Sequence, residues 1–440
     1  MKSKNLCTGP IGKTMILFAI PMVLGNLLQQ FYNIADTFIV GRFLGAIPLA
    51  AVGSSFSLMT FLTSIILGLC MGSGALFSMY FGKEDIEGLK RRFFVALVCI
   101  GVFSLILNLV VYLFLDDILV FLNVPLDTYA DMHTYLWWIF LGIFATFLYN
   151  FFSCYLRSLG NSVVPLMFLG VSSLLNIGLD LYFILNLKMG VSGAAIATII
   201  SQYVSGIGIS IYTFCRMRHL LPKKEDCQFS FVLVREIGQY SILTSLQQSI
   251  MNFGILLVQG LVNSFGTIVM AAFSAAVKID AFAYMPVQDF GNAFSTFIAQ
   301  NYGAGKHERI SKGMKQAFLI SGLFSCVVSL IVFIFAGQLM SIFISSSEVD
   351  IIKVGVSYLR IEGAFYIGIG FLFLFYGLYR AIEKSMMSVI LTIVSLGTRV
   401  ILAYQLSSIM GVNGIWVSVP IGWFLADLVG FIYYLRLKKQ

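Results

Sequence analysis

The chain has 440 residues, of which 59% are hydrophobic and only 11% charged. Apolar runs long enough to cross a bilayer recur from Thr14 towards the C-terminus, so the composition indicates an integral membrane protein. The net charge of +8 does not indicate a nucleic-acid partner, because the basic residues are spread over many short loops.

Twelve membrane-spanning helices are predicted, since about 20 apolar helical residues cross the hydrocarbon core of a bilayer. The predicted spans are 14–40, 47–80, 93–115, 132–156, 164–186, 193–215, 237–262, 268–302, 316–336, 354–378, 387–408 and 414–435. The first span is longer than the core of a signal peptide, and no small-residue cleavage site follows it. We therefore expect this span to be retained as a membrane anchor.

The orientation follows from the lysines and arginines, which fall mainly on one set of alternating loops. This set includes Lys2 and Lys4 before the first span, Lys90–Arg92 after the second and Lys223–Lys224 after the sixth. Positively charged loops stay on the cytoplasmic side. We therefore predict a multi-pass, monomeric protein of the cell (plasma or inner) membrane, surrounded by lipid, with both termini in the cytoplasm.

The seven cysteines do not indicate a disulfide framework or a metal site. Most fall within predicted spans, and no CxxC or CxxH spacing occurs. We expect no cofactor and no bound metal.

The two halves of the chain can be aligned, which indicates an internal duplication. Leu156-Arg157-Ser158 aligns with Tyr379-Arg380-Ala381, and Met189-Gly190-Val191-Ser192-Gly193 aligns with Met410-Gly411-Val412-Asn413-Gly414. The expected fold is all-α, with an N-terminal six-helix bundle (1–215), a cytoplasmic linker (216–236) and a C-terminal six-helix bundle (237–440). Because six is even, both bundles begin on the same side, as in transporters built from parallel repeats that enclose a central cleft.

Several motifs occur in order along this frame. They are Asn33-Ile34-Ala35-Asp36-Thr37-Phe38-Ile39-Val40-Gly41, Arg157-Ser158-Leu159-Gly160-Asn161, Asn176-Ile177-Gly178-Leu179-Asp180, Gly190-Val191-Ser192-Gly193-Ala194-Ala195-Ile196-Ala197-Thr198 and Gln300-Asn301-Tyr302-Gly303-Ala304-Gly305. With these motifs the whole chain resembles the multidrug and toxic compound extrusion (MATE) family. The resemblance implies a cation-coupled antiporter, not an enzyme, that expels amphipathic and often cationic compounds.

The acids of the N-terminal bundle place the chain nearer the DinF-like branch of that family than the NorM-like branch. The acidic residue that the NorM pattern has in span 7 is replaced here by Gln247, Gln248 and Ser249. A sodium site in the C-terminal bundle is therefore not indicated.

Two aspartates, Asp36 and Asp180, stand inside otherwise apolar spans. An ionisable group in hydrocarbon costs about 2.5–3.5 kcal/mol on insertion scales, so such residues usually line a cavity or an ion pathway. At 1.5 Å per helical residue, both acids fall in the outer half of one bundle together with Asn176, Thr198 and Tyr135. The family resemblance implies the same group.

We expect these five residues to bind the coupling cation. Two carboxylates in a poorly solvated cavity do not both ionise easily, so the predicted cation is H⁺, with Na⁺ as the alternative.

Further polar and polarizable residues are candidates for a substrate-binding cleft. They are Gln30, Asn150, Gln248, Met251, Met285, Asp289, Glu362 and Asp427. Asp289 follows Pro286, whose effect on a helix often re-aims side chains around a cavity. Asp280, two residues after Lys278, is expected to form an ion pair at a gate or interface.

Two other functions fit the sequence less well. A flippase of lipid-linked saccharides needs cationic cleft residues to bind a pyrophosphate, and Arg399 is the only basic residue placed well inside a predicted span. A membrane-embedded enzyme is disfavoured because His133, His219 and His307 fall in loops or at helix ends, without a metal or nucleophile constellation.

Overall fold

The computed structural model of the protein describes residues 5–122 and 124–439, so Lys2 and Lys4 lie outside the described residues. The described chain is mostly helical. The α-helices in chain order are α1 (Ile11–Phe43), α2 (Ala46–Gly82), α3 (Ile86–Leu113), α4 (Leu115–Phe121), α5 (Leu126–Ile139), α6 (Ile143–Ser158), α7 (Val163–Leu181), α8 (Gly190–Arg216), α9 (Phe231–Asn263), α10 (Thr267–Gly303), α11 (His307–Phe343), α12 (Val349–Gly363), α13 (Tyr366–Ala381), α14 (Ser385–Met410) and α15 (Val412–Lys439).

Eleven spans in the described residues are long and apolar enough to cross a membrane, and the pair α12–α13 brings the number to twelve. The predicted all-α membrane architecture is therefore confirmed. The predicted span 354–378 is not one straight helix, because α12 and α13 meet at a bend of 51°. Span 4 consists of α5 and α6, joined by a 3-10 turn at Phe140–Gly142.

The described chain forms two compact units. The first contains Ile20–Ser245, and the second contains Leu6–Ala19 together with residues 246–439. Helices α1 and α9 are thus each divided between the units. The predicted domains (1–215, 216–236 and 237–440) followed the sequence repeat and stay a prediction, whereas compactness assigns the start of α1 to the second unit.

An aromatic cluster fills the core of the first unit where α2, α3 and α6 meet. The ring centroids of Phe93 and Tyr155 are 4.5 Å apart, and Phe77 and Phe151 pack edge to face at 6.0 Å. All four side chains are completely buried. These large rings fix α2, α3 and α6 relative to one another in the core of the first unit.

Two glycines one helical turn apart let α2 approach α9 within the first unit. A Cβ atom at Gly72 would lie 2.3 Å from the carbonyl oxygen of Tyr240, and one at Gly68 would lie 2.4 Å from the Cα of Ser245. Such small-xxx-small pairs allow two backbones to pack closely in a membrane, where helix association depends on van der Waals contact.

A charged cluster joins the start of α9 to α2 and α3. Arg92 forms an ion pair with Glu236 at 2.6 Å, and its guanidinium lies 3.6 Å from the ring centre of Tyr80. The Tyr80 hydroxyl also donates a hydrogen bond to Glu236 at 3.3 Å. With side chains only 13% and 26% exposed, this ion pair is less screened by water than one at the open surface.

In the second unit, the segment before α1 is held by the turn between α10 and α11. The Leu6 N–H donates to Gln300 Oε1 at 3.0 Å, Lys306 donates to the Cys7 carbonyl at 3.0 Å, and Arg309 donates to the Thr8 carbonyl at 2.8 Å. Charged donors to carbonyl oxygens give strong hydrogen bonds. The Gln300–Gly305 motif therefore has a structural role as an anchor for this segment.

Candidate functional site

The first unit brings together polar side chains from four helices. Asp36 lies on α1, Tyr135 on α5, Asn176 and Asp180 on α7, and Thr198 on α8. None of these side chains is more than 9% exposed. The structure thus places all five residues of the predicted cation site inside the same unit.

The carboxyl groups of Asp36 and Asp180 interact with each other. Asp180 is completely buried, and neither of its oxygens accepts a hydrogen bond from a protein donor. An ionised carboxylate can only accept hydrogen bonds, so the two acids attract each other only when a proton lies on one of them. Without that proton, two like charges would face each other in a poorly solvated place.

Amide and hydroxyl groups complete the site. The Asn176 Nδ2 donates a hydrogen bond to Thr198 Oγ1 at 3.2 Å, which leaves the Asn176 Oδ1 buried without a partner. Asn176 precedes Asp180 by one helical turn, so both project from the same face of α7. The free amide oxygen and the carboxylate oxygens are all acceptors, which suits a site for a positive charge.

Two tyrosines border the acid pair. Tyr135 interacts electrostatically with Asp36 and Asp180, and so does Tyr32 on α1. Tyr32 was missed in the sequence analysis, although it precedes Asp36 by one helical turn and therefore shares its face of α1. Its hydroxyl adds a donor beside the two carboxyl groups.

A π-helical turn at Tyr182–Asn186 begins two residues after Asp180. Short π turns inside helices are rare and occur frequently at functional sites. The turn continues the span that Asp180 belongs to, and nothing in the hydrophobic pattern of the sequence had indicated it.

The cleft candidates are spread over several helices and both units. Asn150 donates to the Thr146 carbonyl of its own helix at 2.8 Å, which satisfies part of its amide. Asp289 and Gln248 are buried. Half-buried side chains are those of Gln30, Met251, Met285 and Asp427. A role in cargo binding stays a prediction for all of them.

The expected ion pair between Asp280 and Lys278 is wrong. Lys278 is exposed, whereas Asp280 is buried and accepts a hydrogen bond from the Tyr358 hydroxyl at 3.4 Å. Residues two apart on a helix point in different directions, so the partners of Asp280 come from other helices. Glu362, a cleft candidate, is one of the groups around it.

Comparison with known proteins identifies the family. The family model MatE matches residues 21–182 and 241–405. The chain belongs to the MatE family. Members of this family are transporters rather than enzymes, so the predicted family, the multi-pass membrane class and the absence of enzymatic function are confirmed. Assignment to the DinF-like branch stays a prediction.

Individual relatives match this MATE transporter over nearly its whole length. It is 29% identical to the probable multidrug resistance protein YpnP of Bacillus subtilis (strain 168), over 99% of this chain and 97% of the relative. A crystal structure of a MATE protein in complex with MaL6 is 26% identical and superimposes with a TM-score of 0.90, covering 100% of both chains. A MOP superfamily transporter from Pyrococcus furiosus Vc1 is 25% identical, with a TM-score of 0.90 over 100% of this chain and 99% of the other.

Proposed function

We propose that this MATE transporter is a proton-coupled antiporter that exports amphipathic, often cationic drugs or toxic compounds by alternating access. The observation that carries the proposal is the buried contact between the carboxyl groups of Asp36 and Asp180. One proton decides whether this contact is attractive or repulsive. The pair can therefore convert a proton gradient into a preference for one position of α1 relative to α7.

The transport cycle follows from that preference. A proton that enters from outside bridges the acids and stabilises the arrangement in which α1 and α7 are close. Release of the proton to the cytoplasm restores repulsion and favours an arrangement in which they are apart. If cargo binds one arrangement more tightly, its export is coupled to proton entry, because a ligand shifts an equilibrium only by its differential affinity.

The proposed cargo class rests on the relatives and on the charge of the protein interior. Relatives carry names such as multidrug export protein MepA in Staphylococcus aureus and probable multidrug resistance protein YpnP. Asp289 and Asp427 place carboxyl groups, which can interact with cationic cargo, inside the spans of the second unit. Arg399, which a flippase would need for a pyrophosphate, interacts instead with two acids of its own unit.

The decisive experiment measures drug efflux from proteoliposomes that contain Asp36→Asn or Asp180→Asn. Ethidium or norfloxacin is the cargo, and either a proton or a sodium gradient is imposed. An amide replaces a carboxyl group at nearly constant volume but does not titrate. We expect both variants to bind cargo and to lose gradient-driven efflux, and we expect the wild type to respond to the proton gradient.

The matched control is Asp117→Asn, which removes an exposed acid from α4. It should transport like the wild type. Full proton-driven efflux in both Asp36→Asn and Asp180→Asn would contradict the proposal. Efflux of the wild type that follows only the sodium gradient would replace H⁺ by Na⁺ as the coupling cation.

A further inference from the structure

A second cluster of ionisable side chains lies in the second unit. Asp280 is on α10, Glu362 on α12 and Arg399 on α14. Asp280 and Glu362 are only 6% and 2% exposed. Since buried acids are costly unless their charge is balanced, the cluster needs an explanation beyond helix packing.

The charges of the cluster do not balance if both acids are ionised. Asp280 and Glu362 interact electrostatically with each other and with Arg399. The guanidinium is near both acids, but none of its nitrogens forms an ion pair with either carboxylate within 4.0 Å. Two negative charges thus face one positive charge, and one more positive charge is required.

The free oxygens show where that charge can bind. Asp280 Oδ1 and Glu362 Oε2 are buried and receive no hydrogen bond of good geometry. The hydroxyl of Tyr366 is likewise buried without such a bond, although it lies near Asp280. A proton on one carboxyl group would supply a donor and remove the excess negative charge at the same time.

We propose that Asp280 and Glu362 form a second proton-carrying site, in which Arg399 takes the place that a bound metal cation would occupy. The guanidinium cannot lose its charge in a protein, so it repels any further cation that enters. A proton is different because it neutralises a carboxylate instead of adding a separate charged ion beside it. The site is therefore selective for H⁺ over Na⁺.

The groups that act on the acid pair come from α10, α12, α13 and α14. The nearby phenols are Tyr284 on α10, Tyr358 on α12 and Tyr366 on α13. Three further charged groups on or near these helices have other surroundings: Lys278 is exposed, Arg360 lies over the ring of Phe333 on α11, and Asp427 on α15 lies beside Gly368. Arg399 is thus the permanent charge that acts on both acids.

Trp416 on α15 is a built-in reporter of the cluster. It is buried, and its ring packs edge to face on Tyr358 with centroids 4.9 Å apart. Tyr358 in turn donates a hydrogen bond to Asp280 at 3.4 Å. A change of charge on the acid pair therefore alters the electric field at the indole, because few polar groups screen it in this interior.

The test follows tryptophan emission of the purified full-length protein in detergent, without any gradient. An Asp36→Asn background removes the acid contact of the first unit, and Trp416→Phe identifies the part of the signal that comes from Trp416. With Arg399 in place, we expect emission to change with pH and not with added NaCl. Glu362→Gln or Asp280→Asn should abolish the pH-dependent change, and Arg399→Gln should make emission respond to NaCl but not to choline chloride.

Two variants serve as controls for the arginine. Arg399→Lys keeps the positive charge and should remain insensitive to NaCl, while Arg360→Gln removes an exposed arginine and should behave like the parent protein. The proposal is overturned if the parent responds to NaCl, if it shows no pH-dependent change from Trp416, or if that change survives in both Asp280→Asn and Glu362→Gln. The role of this site in transport rests on the proposed function, whereas proton binding to the site does not. A failure of drug efflux and a failure of this fluorescence test are therefore separate results.

Discussion

The close contact between α2 and α9 allows a quantitative prediction for Gly72→Ala. The new methyl group would lie 2.3 Å from the Tyr240 carbonyl oxygen and 2.6 Å from the Ser241 Cα, where ordinary contacts begin near 3.4 Å. The two helices must therefore move apart by about 1 Å. Overpacking of this kind costs about 1–3 kcal/mol.

The matched control is Gly53→Ala on the same helix. No atom lies within 4 Å of the position of its new Cβ. Alanine favours a helix over glycine by about 1 kcal/mol, and this gain is common to both variants. The difference in free energy of unfolding between the two variants therefore measures the steric cost at Gly72. For a domain of this size, that cost corresponds to a melting temperature about 2–12 °C lower for Gly72→Ala than for Gly53→Ala.

Thermal unfolding of the purified variants in one detergent, followed by tryptophan fluorescence, measures this difference. Efflux assays on the same preparations show whether displacement of α9 also impairs transport. Equal melting temperatures for Gly72→Ala and Gly53→Ala would refute the reasoning, because they would mean that the two helices are not in contact at this glycine.

Two further predictions concern single side chains. Arg92→Met should lower the free energy of unfolding by about 1–3 kcal/mol in denaturant titrations, because the half-buried Glu236 carboxylate loses its cationic partner. Arg91→Met removes an exposed ion pair and should change the free energy of unfolding by less than about 1 kcal/mol. Thr198→Val should reduce proton-driven efflux, because the Asn176 amide loses its hydrogen-bond acceptor beside the acid pair. The control Thr213→Val removes a hydroxyl that bonds only within its own helix, so it should leave efflux unchanged. Equal effects within either pair of variants would contradict the corresponding prediction.

The membrane spans could be predicted from sequence because hydrophobicity is a local property. Their ends could not, since helices continue into the interface: α11 covers His307–Phe343, whereas the apolar pattern predicted 316–336. The bend between α12 and α13 was also missed. It contains no proline, so no single residue marks it, and it follows from how Gly363 and its neighbours pack.

The acids of the first unit were easier to place than those of the second. Asp36 and Asp180 lie in recognisable motifs and at similar depths, and Tyr32 could have been added from its spacing to Asp36. Asp280 has a charged neighbour in sequence, which suggested a local ion pair, but its partner Tyr358 lies 78 residues later. Such partners depend on tertiary packing, which local sequence patterns do not encode.

The anchor of the segment before α1 has a consequence for biosynthesis. Its backbone groups are bound by side chains that follow 294 to 303 residues later in the chain. At about 5–20 residues per second, the ribosome needs about 15–60 s to produce them. The remainder of α1 can pack with α7 well before that time. The C-terminal part of α1 can therefore pack early, whereas its N-terminal end acquires these hydrogen bonds only after most of the chain has been translated. The first helix to be synthesised is thus fully anchored only when the second unit is complete.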